Sequence, residues 1–306
     1  MKTAGTEADG VRGTVVVVAY NARTVIERCL DSLHDDAVAG RIKTVVVDND
    51  STDGTPELVK SRYPWVELVP AGENGGFGAG NNIGSRHAEG RWLFFLNPDA
   101  AVIGDCIPVL ERFISGHPDA GCVAPAVTGA DGGAVLSHFP FTGLATSIWG
   151  AVGLNRVLPF NRTDGRFEIR RRAPTGTVEV DRVLGAAMMV PRRVFEQVGG
   201  FDERFFLYSE EEDLCLRIRC RGWKVFYFPA ARVVHIGSGT TRNMRPLAVA
   251  AVNWSRYLYM RKHRPRWESE VSRLVWVAAL ALRWCAAGIA LHRGERRGGP
   301  LDIDSR

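Results

Sequence analysis

Residues 44–56 read Thr-Val-Val-Val-Asp-Asn-Asp-Ser-Thr-Asp-Gly-Thr-Pro. The first four are β-branched and apolar to a degree that suits a strand buried on both faces. The polar run Asp48 to Gly54 then turns the chain, and Thr55-Pro56 opens a helix as N-cap and first helical residue. Strand, polar loop and helix in that order make one unit of a parallel sheet, and the flanking sequence repeats the pattern from Thr14 to Val127.

Upstream, Val15 to Val18 form a second apolar run. Between it and Thr44, Ile26, Cys29, Leu30 and Leu33 recur at helical spacing. Downstream, Val66 to Val69 and Trp92 to Leu96 supply two more strands. The fold expected is α/β, a mostly parallel Rossmann-like sheet flanked by helices, with a C-terminal helical extension. Residues 1–13 are polar and read as a flexible N-terminus, and residues 14–128 as a nucleotide-binding half. Residues 129–177, rich in Gly, Pro and Arg, read as a substrate-specific insertion or mobile loop. A strand over 178–183, the apolar run 184–190, a helix near 192–198, a helix over 213–221 and a strand over 224–228 complete a catalytic half ending near residue 240.

An apolar fraction of 45% excludes a chain that is disordered throughout. Six scattered cysteines without a CxxC pair, and no signal peptide in the polar N-terminus, point to a reducing cytoplasm. The net charge of +5 is concentrated after residue 240, where Arg256, Arg261, Lys262, Arg264 and Arg266 alternate with Trp254, Tyr257 and Trp267. Excess charge outside the sheet argues against nucleic acid as the partner. The helical stretch from about Glu268 to Leu291 is apolar, but Arg273 and Arg283 leave only residues 274–282 uncharged. That is short of the ~20 residues of a spanning helix and fits one lying on the cytoplasmic membrane face. Packing on its own domain, or on a second copy in a homo-oligomer, fits equally.

In a parallel sheet, ligands gather beyond the carboxyl ends of the strands. There the chain places Tyr20 and Asn21, then Asp48, Asn49, Ser51 and Asp53, then Asn97-Pro98-Asp99. Each loop alone is ordinary turn chemistry, and three on one edge indicate a site. Residues 74–82, Asn-Gly-Gly-Phe-Gly-Ala-Gly-Asn-Asn, follow the third strand and lack GxGxxG spacing, so they are not a dinucleotide loop. Asn74, Gly75 and Asn82 nevertheless border a backbone able to approach a phosphate or sugar, with a helix from about Ala79.

Asp99 can bind a hard divalent cation, Mg²⁺ or Mn²⁺, that bridges two phosphates. His235, at the end of the apolar pair Val233-Val234, is placed to be a second ligand, although a lone histidine is more often structural. In the run Glu210-Glu211-Glu212-Asp213, a turn of ~100° per residue puts Glu211 within about 60° of Leu214, Cys215 and Ile218. Glu211 therefore shares the helix's inward face and Asp213 points away, toward Arg217. Burial beside Glu210 and Glu212 should raise the pKa of Glu211 toward that of a general base.

Assembled, these blocks resemble the inverting glycosyltransferases of family 2, and in particular their bacterial rhamnosyltransferase-like branch. The carriers are Val-Ala-Tyr-Asn at 18–21, Val-Asp-Asn-Asp-Ser-Thr-Asp-Gly-Thr at 47–55, Asn-Gly-Gly-Phe-Gly-Ala-Gly-Asn-Asn-Ile-Gly at 74–84 and Phe-Leu-Asn-Pro-Asp at 95–99. Further on come Gly-Gly-Phe-Asp at 199–202, Tyr-Ser-Glu-Glu-Glu-Asp at 208–213 and Val-Val-His at 233–235. The resemblance implies a GT-A fold and a dTDP- or UDP-sugar donor, with dTDP-rhamnose favoured. It also implies a glycan or polyprenyl-diphosphate-linked acceptor, Asn21 and Asp48 at base and ribose, Asp99 and His235 at the metal, and Glu211 as base with Glu210 or Asp213 as substitutes. Asn97 stands where a full DxD motif has its first acid. Glu211 stands where relatives commonly have Asp. A sugar nucleotidyltransferase would need a basic, Gly-rich segment after the first strand, which Ala19-Tyr20-Asn21-Ala22 lacks. A non-catalytic scaffold has no need of Asp48, Asp99 and Glu211.

Overall fold

The computed structural model describes residues 10–151, 176–236 and 245–297. The readings of residues 1–9 as flexible, and of residues 152–175 within the expected insertion, lie outside these residues. In chain order the first half comprises β1 (Gly13–Ala19), α1 (Ile26–Asp31), α2 (His34–Val38), β2 (Ile42–Asp48), α3 (Thr55–Arg62), β3 (Glu67–Pro70), α4 (Gly76–Arg86) and β4 (Trp92–Leu96). It continues with β5 (Ala100–Ile103), α5 (Cys106–Gly116) and β6 (Ala120–Thr128). The second half holds β7 (Ala134–Val135), β8 (His138–Phe139), α6 (Leu144–Ala151), β9 (Val178–Glu179), β10 (Arg182–Val183), β11 (Ala187–Pro191) and α7 (Arg192–Val198). It ends with α8 (Glu210–Cys220), β12 (Lys224–His235), α9 (Arg245–His263) and α10 (Arg266–Arg297).

The main sheet runs in the order β3-β2-β1-β4-β11-β6-β12-β5. Its first four strands are parallel, with helices connecting β1 to β2, β2 to β3 and β3 to β4, and β11 then inserts antiparallel between β4 and β6. Burial follows from this layering, since every residue of β1, β4 and β11 is buried. One face packs Ile26, Leu30 and Leu33 onto Val15 and Val17, and the other packs Phe195, Phe201 and Leu214 onto Phe95 and Met188.

The structure corrects several local expectations. Thr55 is the first residue of α3, not its cap: Gly54 holds the cap position at φ 83°, and the Asp53 carboxylate accepts from the Thr55 amide and hydroxyl. The glycine-rich segment is mostly helix, with α4 beginning at Gly76 rather than Ala79. Its glycines serve packing. A Cβ on Gly80 would lie 2.6 Å from a Val18 methyl, so only glycine lets α4 press this closely on β1. The last strand extends beyond Phe228 to His235, with a register shift at residues 229–231 where Pro229 has no amide to offer. Within the expected loop 129–177, residues 134–151 contain β7, β8 and α6.

Beyond the sheet, α9 lies against α8. Lys262 and His263 bond Asp213, and Ser255 bonds the carbonyl of Leu207. No described helix is long and apolar enough to cross a membrane.

Candidate active site

The carboxyl ends of β1, β2 and β4 open into a cavity of about 320 Å³. Tyr20, Asn49, Asn74, Asn97 and Asp99 line it, joined by His235, Glu210 and Glu211 from the second half of the chain. Sheet register explains the meeting of Asp99 with His235. Strands β5 and β12 pair Ala100 with His235, the Ile236 amide donates to the Asp99 carbonyl at 3.0 Å, and His235 Nε2 lies 3.0 Å from Asp99 Oδ1. Asn97 Nδ2 sits 3.5 Å from the same imidazole nitrogen. The Asn97 amide is held by the Ala186 carbonyl at 2.9 Å, while its buried Oδ1 has no partner. A carboxylate, an imidazole and an unengaged amide oxygen are donors that a divalent cation accepts. Among the described residues no group of three His, Cys, Asp or Glu forms a complete cage, so oxygens of a bound ligand would have to finish the shell.

The acidic wall is built by an unusual turn. Tyr208 and Ser209 both adopt left-handed backbone, φ 71° and 65°, a conformation disfavoured for residues with a side chain. It swings the chain so that α8 starts with Glu210 and Glu211 at the cavity. Helix phase placed Glu211 inward, and its side chain is 11% exposed. The expectation that Asp213 faces away is corrected: its side chain is fully buried, because α9 covers that face and brings Lys262 and His263 to it alongside Arg217. Glu212 is buried too, taking hydrogen bonds from the Thr142 amide and hydroxyl.

Burial pushes the Glu211 carboxyl above the ordinary carboxylate range against the opposing pull of Arg182, with the Glu212 charge adding to the rise. Glu210 is pushed up further by burial and then by the charge of Glu211, and its Oε2 has no partner. Such a pair holds a proton more readily than free carboxylates.

Other residues expected at the nucleotide stand outside the cavity. Asn21 stitches two loops together, its Oδ1 accepting from the Thr52 amide at 2.8 Å while its own amide donates to Ser51 Oγ. Asp53 braces the start of α3, and Asn82 pins residue 201 through both its Oδ1 and Nδ2. Asp48 accepts from the Ser51 amide with one oxygen, and the other, buried Oδ1 is unpartnered. Gly75 caps α4 behind Asn74. The cavity also has apolar walls that sequence reasoning missed: Phe77, Leu184, Phe206, Leu207 and Ala251. Arg182 was missed as well. Its neighbours Glu179 and Asp181 make it look like an ordinary surface charge, and its partners lie 29 and more residues away.

A mixed sheet with this strand order and a cavity at its carboxyl edge is the architecture of the GT-A class. The model of Glycosyl transferase family 2 matches residues 14–196, and the chain belongs to that family. It is a glycosyltransferase. Over 295 residues it is 32% identical to the N-acetylglucosaminyl-diphospho-decaprenol L-rhamnosyltransferase of Mycobacterium tuberculosis, covering 92% of this chain and 95% of that one. It is 25% identical to the rhamnosyltransferase WbbL of Escherichia coli over 75% of this chain and 85% of that one. Among solved structures it resembles the mannosyltransferase PcManGT of Pyrobaculum calidifontis in complex with GDP-Man and Mn²⁺. That likeness has a TM-score of 0.57 at 19% identity, over 95% of this chain and 82% of that one. GalNAc-T7 with UDP, GalNAc and Mn²⁺ gives a TM-score of 0.54 at 18% identity, over 72% of this chain and 43% of that one. At such identities these structures speak for the fold.

Proposed function

We propose that the protein transfers L-rhamnose, with inversion, from dTDP-rhamnose to an N-acetylglucosaminyl diphosphate carried on a polyprenol. The observation that carries the reading is one cavity lined at once by Asn97, Asp99 and His235 and by Glu210 and Glu211. Sugar transfer needs these two functions side by side: neutralisation of a departing diphosphate and removal of a proton from the acceptor hydroxyl. The names of the M. tuberculosis and E. coli relatives favour rhamnose, and the first favours the lipid-linked acceptor.

Glu211 takes the proton of the acceptor hydroxyl as that oxygen forms its bond to the anomeric carbon and the bond to the diphosphate oxygen breaks. Asp99, His235 and the free Oδ1 of Asn97 would hold Mg²⁺ or Mn²⁺. When bound, the cation supplies Lewis-acid stabilisation of the leaving diphosphate. Asn49 and Asn74 border the nucleotide, and Tyr20 lies beside it at the mouth of β1. Phe77, Phe206 and Leu207 keep water from the reacting centre. Residues 14–128 carry the donor in this reading and residues 129–240 the acceptor. On α10, Trp267, Val271, Leu274 and Leu282 are exposed along one stripe at helical spacing, with Trp254 exposed on α9. These residues, with the neighbouring arginines, would rest on the cytoplasmic membrane face where the acceptor lies.

Thermal stabilisation by nucleotide sugars tests the reading. dTDP-rhamnose with Mn²⁺ or Mg²⁺ should stabilise the protein, by about 2.7 kcal/mol at one hundred times its Kd. Asp99→Ala should lose the cation-dependent part. Absence of stabilisation by any dTDP, UDP or GDP sugar would overturn the proposal.

A further inference from the structure

Arg182 stands in β10, whose pairing with β8 sets Arg182 opposite Phe139 and Val183 opposite His138. Its guanidinium lies over the Phe139 ring, 4.5 Å from the centroid, and Nε donates to the Pro140 carbonyl at 3.2 Å. With the head group fixed on two sides, Nη1 reaches Glu211 Oε1 at 3.5 Å and Nε lies 3.7 Å from Glu212 Oε1. The arginine side chain is 18% exposed, so little water screens these contacts. Glu212 has further anchors in the amide and hydroxyl of Thr142. For Glu211, Arg182 is the cation at ion-pair distance among the described residues.

We propose that Arg182 is a positioning residue for sugar transfer, holding the Glu211 carboxylate ionised and oriented at the cavity so that a buried base works near neutral pH. The proposal builds on the reading of Glu211 as the base. Other charged or titratable groups share the surroundings: Glu210 and Glu212 on its own helix, Tyr20, Asp99, Tyr208 and His235 around the cavity, and Arg256, Tyr259 and Arg264 on α9. The acids among them disfavour a second negative charge. Arg182 opposes burial and Glu212 in setting the Glu211 proton affinity. A planar guanidinium suits the place because it stacks on Phe139 while its fork serves Pro140, Glu211 and Glu212, which a lysine ammonium cannot do together.

The test is the pH dependence of kcat/KM for the wild type, Arg182→Met and Arg182→Lys. In Arg182→Met the ascending limb should move up by about one pH unit, with roughly tenfold loss at pH values below the wild-type limb that is recovered in alkaline buffer. Arg182→Lys should fall between the two. Loss by one factor at every pH, or an unmoved limb, would overturn the proposal by assigning Arg182 a merely structural role. Should Arg182→Met not fold, Arg182→Gln removes the charge while keeping a donor for Pro140, and the same shift is expected. Glu211→Gln measured alongside separates the two levels. Retained activity there refutes the base itself, whereas an inactive Glu211→Gln beside an unmoved Arg182→Met limb refutes only the role of Arg182.

Discussion

Glu211 and Asn97 are the two residues at which this chain departs from the motifs it resembles, and each departure has a measurable consequence. Burial raises the Glu211 carboxyl, and only the ionised form can accept a proton. Activity should therefore be lost as pH falls through a value above the ordinary carboxylate range, which a kcat/KM profile at saturating cation would locate. Asn97 contributes a neutral oxygen where an acid would add charge beside Asp99 and His235. Asn97→Asp should tighten the cation, lowering the Mn²⁺ concentration for half-maximal activity about tenfold if the added attraction is about 1.4 kcal/mol. An unchanged Mn²⁺ requirement would remove Asn97 from the cation site.

At the scale of elements, α8 is held by a buried charge cluster as much as by apolar packing. Asp213 Oδ1 bonds Lys262 at 2.5 Å and His263 at 2.6 Å, and Oδ2 bonds Arg217 at 2.7 Å. Burial alone would push this carboxyl up, but His263, Arg217 and Lys262 together hold it below its usual range. Its stabilising contribution is thus complete above the unfolded carboxyl's pKa and is lost as acid titrates the folded one. Asp213→Asn removes the buried carboxylate shared by Arg217, Lys262 and His263 and should destabilise the fold by about 3–5 kcal/mol in denaturant titration. The strands were legible in the sequence because β-branched runs are local signals, whereas helix phase did not single out Glu211, since all four acids of α8 are buried. The fate of Asp213 was not legible, because the helix that covers it begins 32 residues further along the chain. The segment 74–82 looked like a loop for a related reason. Its glycines record how closely α4 approaches β1, and that approach is a tertiary fact.

For the molecule as a whole, the polar strand ends that line the cavity were readable from the sequence, while the cavity's apolar walls were not. Leu184, Phe206 and Ala251 come from three distant segments, and nothing in their own neighbourhoods marks them as lining one space. In the proposed function the exposed stripe on α10 rests on the membrane that carries the acceptor. Vesicles containing anionic lipid should bind the protein more strongly than neutral vesicles, and added salt should weaken the binding. Replacing Trp254 and Trp267, 62% and 60% exposed, with serine should reduce it further without altering stability. Equal binding by the double variant would place the contact elsewhere.

In the proposed mechanism, sugar transfer in this cavity depends on Glu211. Transfer from dTDP-rhamnose to a polyprenyl-diphosphate N-acetylglucosamine by Glu211→Gln, with donor affinity measured on the same protein, addresses it directly. A fall of about 10²–10⁴-fold in kcat with donor Kd little changed is the predicted result. Transfer at the wild-type rate would contradict it.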